Sequence, residues 1–129
     1  MTSLFEKAAL GNLTLNNRII RSATWEGMCH PDGQPSTKLI DCYRALARGG
    51  VGLIITGFAF VRQDGRSHPG KMGIHTDEFE REYKIMTRAV HDLGGKIAIQ
   101  LVHAGGLASA SRSGKPPVAP SSKKVGTYP

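Results

Sequence analysis

The chain is poor in the features that mark extracellular, membrane-spanning or metal-dependent proteins. It has two cysteines, Cys29 and Cys42, in 129 residues, and they fit neither a disulfide framework nor a paired metal motif. Its longest apolar run, Val51 to Phe60, is broken by Gly and Thr and is far shorter than the ~20 residues a bilayer requires. The opening stretch from Met1 to Lys7 has no apolar core of the kind a signal peptide carries. A cytoplasmic, reducing setting without membrane association is the expectation. No GxSxG, P-loop or HExxH occurs, which leaves hydrolase and nucleotide-motor readings unsupported. Cys29 and His30 with His68 and His75 have no spacing known for a metal site, so no metal is expected.

Acids are also scarce. Ten Asp and Glu face 17 Lys and Arg, giving a net charge of +7. Such an excess can serve a polyanion partner. Here Lys71, Arg81, Lys84, Arg88 and Lys96 are scattered among acids, and only the tail from Arg112 to Lys124 is one-sided. That tail reads as a solvated loop. No aromatic-basic recognition motif accompanies the cations, so nucleic acid is not an expected partner. A basic lining also suits a phosphorylated cofactor. The 40% hydrophobic and 21% charged content is that of a folded chain, and the length suits one domain.

Local patterns give the element order. Gly11-Asn12 lies between short alternating segments, which predicts a hairpin over residues 8–15. Residues 17–23 read as a short strand. Ser36 or Thr37 is a helix N-cap candidate, and Leu39, Cys42, Tyr43, Leu46 and Ala47 recur at helical spacing until Gly49-Gly50. Val51 to Gly57 is a nearly continuous apolar run, as in a strand covered on both faces. A long loop with turns at Asp64-Gly65 and Pro69-Gly70 follows. Thr76 is positioned to cap a second helix whose stripe is Phe79, Tyr83, Met86, Val90 and Leu93. Residues 96–101 form a third strand, and no further helix or strand is evident up to Pro129. Strand and helix alternate, so the fold class is α/β with a parallel sheet and right-handed crossovers. A doubly wound sheet and a (β/α)8 barrel both remain open, although no GxGxxG follows the first strand.

In either architecture ligands gather at the C-terminal ends of the strands. Those ends carry Ser22-Ala23-Thr24-Trp25-Glu26, Thr56-Gly57-Phe58 and Gln100 to Gly105. Small residues, a Trp, an amide and a His on one rim suit a flat apolar ligand with hydrogen-bonding edges. Gln100 either offers its amide to an imide-like edge or is a buried Gln tied to backbone, and the pattern leaves both readings standing. Trp25 reads as a pocket wall. Gly57 reads as a strand-ending glycine, His103 as a loop His bonded to backbone, and Glu26 as a surface carboxylate.

Three of these stretches resemble the Old Yellow Enzyme family of NADH:flavin oxidoreductases. The segment from Asn17 to Met28 is similar to its first barrel strand. Gly50 to Gly57, with Gly65-Arg66, is similar to its second. Lys96 to Gly106 matches its strand ending in Gln-Leu-x-His-Ala-Gly, and Leu4-Phe5 with Leu13 to Arg18 fits its N-terminal hairpin. The likeness runs from Leu4 to Ser122. It implies the N-terminal part of a (β/α)8 TIM barrel, with three parallel strands and two helices after a hairpin, and residues 1–129 as one portion of an FMN-binding domain. It further implies FMN as cofactor, NADH or NADPH as electron donor, and a small-molecule substrate such as an activated alkene or enone. It leaves room for a homo-oligomer.

By position in that family, Ser22, Ala23, Thr24 and Trp25 run along the flavin. The Gly57-Phe58 peptide approaches its pyrimidine side, and Gln100 pairs with the pyrimidine carbonyl and N–H. Trp25 stands where many relatives carry Thr or Cys, so the resemblance implies a different tuning of the flavin here. The family's substrate-binding His pair, its Tyr acid, the basic residue by the flavin and the phosphate-gripping loops lie on later strands. The catalytic residues are therefore expected beyond Pro129. The alternative is a non-catalytic partial barrel that needs a partner chain.

Overall fold

The computed structural model describes residues 3–121. Gly11-Asn12 closes the hairpin where expected. β1 (Ala8–Leu10) pairs antiparallel with β2 (Leu13–Leu15), and Leu10 stands opposite Leu13. Gly11 takes φ 57° at this turn, a conformation that costs glycine little and other residues more.

β3 (Ile20–Arg21) is shorter than the stretch 17–23 suggested. It has a ladder partner on one side only, with Ile20 opposite Leu53 and Arg21 opposite Ile54. Beyond Arg21 the chain leaves the ladder. α1 (Thr37–Arg48) begins where the Ser36 hydroxyl accepts the Leu39 N–H at 3.2 Å, and Ser36 donates in turn to the Met28 carbonyl at 2.5 Å. Ser36 is thus the cap, satisfying a donor that the first helical turn leaves free.

β4 (Leu53–Phe60) runs three residues past the expected end at Gly57. Its far half is held from both sides: Ala59 and Phe60 pair with β5 (Met72–Gly73) and also with Leu101 and Val102 of β6 (Ile97–Val102). All these pairings are parallel. The register shifts between Ile55 and Phe58, so Thr56-Gly57 forms an irregularity inside the strand and does not end it. β5 is two residues long and carries no periodic signal.

α2 (Glu80–His91) starts later than the capping residue suggested, because a 3-10 turn over Asp77–Phe79 intervenes and Thr76 caps that turn instead. Past β6, where no helix was expected, a 3-10 turn (Gly105–Leu107) and a short α3 (Ala110–Ser113) appear. α3 stops at Gly114 in the left-handed conformation, φ 68°. Residues 122–129 of the basic tail lie outside the described part.

The parallel ladder places β4 between β3 and β6, and α1 and α2 pack against each other on one side of it. Leu39, Tyr43 and Ala47 of α1 and Met86 and Val90 of α2 meet Ile54 and Ala59 there, and Ile97 and Ile99 pack on the same cluster. Each large side chain in this layer contributes roughly 1.5–3 kcal/mol of burial. Ala98 and Gln100, of opposite parity on β6, are exposed on the other face of the sheet. Among the described residues, no helix is long and apolar enough to cross a membrane.

Candidate functional site

The segment after β3 lies against the irregularity in β4. A Cβ placed on Gly57 would meet Glu26 Oε2 at 2.5 Å and the Thr24 carbonyl oxygen at 2.6 Å. Only glycine admits that approach, so Gly57 is explained by the close passage of the segment after β3 and not by strand termination. Its N–H donates to Tyr43 Oη at 3.1 Å, and its carbonyl accepts from Thr56 Oγ1 at 2.8 Å.

Glu26 is not the surface carboxylate that its sequence context suggested. Its side chain is 7% exposed and pairs with Arg21 Nη2 at 3.2 Å. The available signal was the basic Arg21 five positions earlier. This buried negative charge reaches its neighbours. Burial, then Glu26 and Asp32, push the Cys29 thiol up to about 12. Burial and the Glu26 charge hold the Tyr43 phenol well above the ordinary tyrosine range.

Trp25 and Phe58 are joined by a residue that sequence reasoning left among the scattered surface cations. Lys71 is 8% exposed. Its Nζ lies 3.9 Å from the Phe58 ring centroid and 4.6 Å from that of Trp25. Burial lowers the Lys71 pKa and the Glu26 charge opposes that shift. Lys71 directly precedes β5, so nothing periodic marked it as buried. Trp25 itself stays half exposed, as a pocket wall requires, with the His68 ring tilted against it at 5.4 Å.

Gln100 is exposed on the open face of the sheet. Its main-chain N–H donates to Thr56 Oγ1 at 3.4 Å, while its side-chain amide has no hydrogen bond among the described residues. Phe58 stands opposite it in the ladder. Thr24, Trp25, Gly57, Phe58 and Gln100 are thereby brought into one region, which Ser22 and Ala23 lead into. Ser22 and Thr24 are exposed and Ala23 is half-buried. His103 is bonded to backbone as a loop His, its Nδ1 accepting the Gly105 N–H at 3.0 Å, and its Nε2 in addition faces Asp64 Oδ1 at 3.3 Å. Among the described residues, no group of three or more His, Cys, Asp or Glu is placed to hold a metal ion.

Parallel strands with α1 and α2 on one side, and an aromatic and amide rim on the open side, define part of a β/α barrel with a ligand-facing wall. The comparisons make this specific. A sequence model of the NADH:flavin oxidoreductase / NADH oxidase family matches residues 3–127, and the chain belongs to that family. It is 38% identical to a metal reductase of Desulforamulus reducens, over 100% of this chain and 20% of that protein. It is 36% identical to an NADH oxidase of Thermoanaerobacter brockii, over 92% of this chain and 19% of that one. Among solved structures, the old yellow enzyme homologue from Zymomonas mobilis superposes with TM-score 0.85 and 34% identity, covering 95% of this chain and 34% of its own. Morphinone reductase gives TM-score 0.84 and 36% identity, over 94% of this chain and 32% of that one. The chain therefore spans about a fifth of these curated relatives and about a third of these structures. Its sheet is the N-terminal part of a TIM barrel, which resolves the choice left open by the alternation of elements.

Proposed function

We propose that residues 1–129 form the N-terminal portion of an FMN-binding barrel domain and supply the wall against the flavin ring. In this reading Ser22, Ala23, Thr24 and Trp25 run along the ring, the Gly57-Phe58 peptide meets its pyrimidine side, and Gln100 pairs with the pyrimidine carbonyl and N–H. The observation that carries the reading is the Gln100 amide, exposed and without a hydrogen bond among the described residues, opposite Phe58 on the open face of the sheet. An amide offers one donor and one acceptor edge side by side, the complement of an imide. Trp25 and Phe58 supply flat apolar surface beside it, and Arg21 and Lys71 bring positive charge. The residues present therefore fit the group.

When bound, FMN supplies hydride transfer, and the protein supplies orientation and electrostatics. The whole protein is then an oxidoreductase of the Old Yellow Enzyme type. NADH or NADPH is the electron donor and an activated alkene, an enone or another small molecule is the acceptor. The relatives named NADPH dehydrogenase in Bacillus subtilis and NADH oxidase in Thermoanaerobacter brockii support either donor. A cytoplasmic location, with neither membrane nor nucleic acid as a partner, accords with this chemistry, and the proposal admits a homo-oligomer.

A second reading is favoured by the end of β6, where Leu101 is 58% exposed although it shares the parity of Ile97 and Ile99. In it the piece is non-catalytic alone and needs further barrel strands from a partner chain. Equilibrium dialysis of the chain against FMN, with and without the remaining strands supplied in trans, separates the two. Binding that Gln100→Leu weakens about tenfold supports the wall, because an imide edge left unpaired loses roughly 1.4 kcal/mol. Absence of FMN binding in both conditions sinks it.

A further inference from the structure

We propose that Lys71 is a positioning residue for the flavin wall: its ammonium fixes the Trp25 and Phe58 rings and sets a positive charge directly behind the rim. The inference rests on the FMN-binding reading above, which used Lys71 only as a nearby positive charge.

Lysine is almost never this deeply buried unless something compensates its charge. Among the described residues no carboxylate lies within ion-pair distance of Lys71. The nearby Glu26 is engaged by Arg21 at 3.2 Å. What faces the ammonium is two aromatic rings, at 3.9 Å and 4.6 Å from their centroids. Both distances are inside the ~6 Å over which a ring quadrupole attracts a cation. The three residues come from three separate pieces of chain, namely the segment after β3, the interior of β4 and the residue before β5. Lys71 therefore acts as the common anchor of two rings that no hydrogen bond among the described residues fixes.

Two consequences follow for a ligand on this wall. Trp25 is half exposed, and a wall of that kind positions a ring only if its own orientation is held by neighbours. A cation shielded from water also favours negative charge on whatever stacks nearby, more strongly than it could from solution. Reduced flavin carries more negative charge than oxidised flavin, so Lys71 favours the reduced form.

Trp25 is the only tryptophan of the chain, so its orientation is readable without any flavin. The variants are Lys71→Met, which keeps the length and removes the charge, and Lys71→Arg, whose guanidinium also stacks on aromatic faces. In the flavin-free full chain, Lys71→Met is expected to raise the acrylamide quenching of Trp25 about twofold and to flatten its near-UV circular dichroism; Lys71→Arg restores both. In the FMN-loaded full chain, Lys71→Met is expected to weaken reduced FMN about tenfold more than oxidised FMN, a fall of ~30 mV in a two-electron midpoint. Lys71→Arg returns the midpoint to the wild-type value.

A Lys71→Met chain with unchanged midpoint overturns the proposal even if Trp25 loosens, since a mere space-filler would loosen it too. Unchanged quenching together with unchanged midpoint also overturns it. If Lys71→Met loses its far-UV signal, Lys71→Gln takes its place, with the same expectations. If the wild-type chain takes up no FMN, the binding reading fails, and the anchoring of the rings is then decided by whether Lys71→Arg keeps the wild-type Trp25 quenching that Lys71→Met loses; equal loosening in both overturns it.

Discussion

His103 Nε2 lies 3.3 Å from Asp64 Oδ1, and through this contact the loop after β4 is joined to the loop after β6. The Gly105 N–H, donating to Nδ1 at 3.0 Å, leaves the ring proton on Nε2, where it points at the carboxylate. The same two loops share backbone bonds, Ala104 N–H to the Gly65 carbonyl and Ser109 N–H to the Arg66 carbonyl, each 2.9 Å. A Cβ on Gly65 would stand 2.6 Å from the His103 ring, so the ring lies flat on that backbone. His103→Ala is therefore expected to lower the urea midpoint of the chain and to raise amide exchange over residues 62–66 and 103–109. Gly65→Ala should do the same by collision. Wild-type exchange in both loops of His103→Ala would show that the latch holds nothing.

The latch also has a pH signature. Burial pushes the Asp64 carboxyl up, but the His103 hydrogen bond and the Arg62 charge outweigh it and leave the group below its ordinary value. A carboxylate with a depressed folded pKa contributes stability that is complete above its unfolded pKa, near pH 4. That contribution is lost as pH falls through the folded value. Asp64→Asn is thus expected to be less stable than wild type at pH 7, with the gap closing below about pH 4. Urea midpoints measured from pH 7 to pH 2 check this, and a gap that stays constant across the range contradicts it.

The Tyr43 to Gly57 contact gives a third expectation. Gly57 is buried, and its N–H has Tyr43 Oη as acceptor at 3.1 Å. Tyr43→Phe removes the acceptor and leaves the donor without a partner, which costs about 1–3 kcal/mol. Gly57→Ala drives a methyl into Glu26 and the Thr24 backbone, and costs a further 1–3 kcal/mol or so. Chemical denaturation reads both. A neutral Gly57→Ala would mean that the segment after β3 does not cross β4 as closely as described.

How much of this was legible in the sequence depended on whether a feature is set by neighbours in the chain or across it. The hairpin at Gly11-Asn12 and the Ser36 cap are local, so turn and capping chemistry found them. Gln100 was legible as a polar residue where a core position was due, and its alternatives needed burial to be separated. β5 stayed hidden because two residues carry no period and their pairing with Ala59 and Phe60 is a tertiary fact. Lys71 stayed hidden for the same reason, since its compensating rings lie 13 and 46 positions earlier in the sequence. Glu26 was misread because its partner effect runs through Gly57, whose missing side chain makes the space for it. The family resemblance pointed to the rim residues, but only the fold shows what stands behind them.

The last expectation concerns Cys29, whose thiol is pushed up to about 12 from 9.0 by burial first, then by the Glu26 and Asp32 charges. The thiolate is the reactive form, so at pH 8 its population is about a thousandfold below that of an ordinary thiol. In a Cys42→Ser chain, where Cys29 is the sole cysteine, labelling by an aromatic disulfide reagent should be slow when folded and fast in urea. Glu26→Gln removes one of the charges that raise the group, so it should speed native labelling while Asp77→Asn, on the 3-10 turn before α2, should not. Rapid labelling of folded Cys29, or no response to Glu26→Gln, would contradict the buried carboxylate beneath the rim.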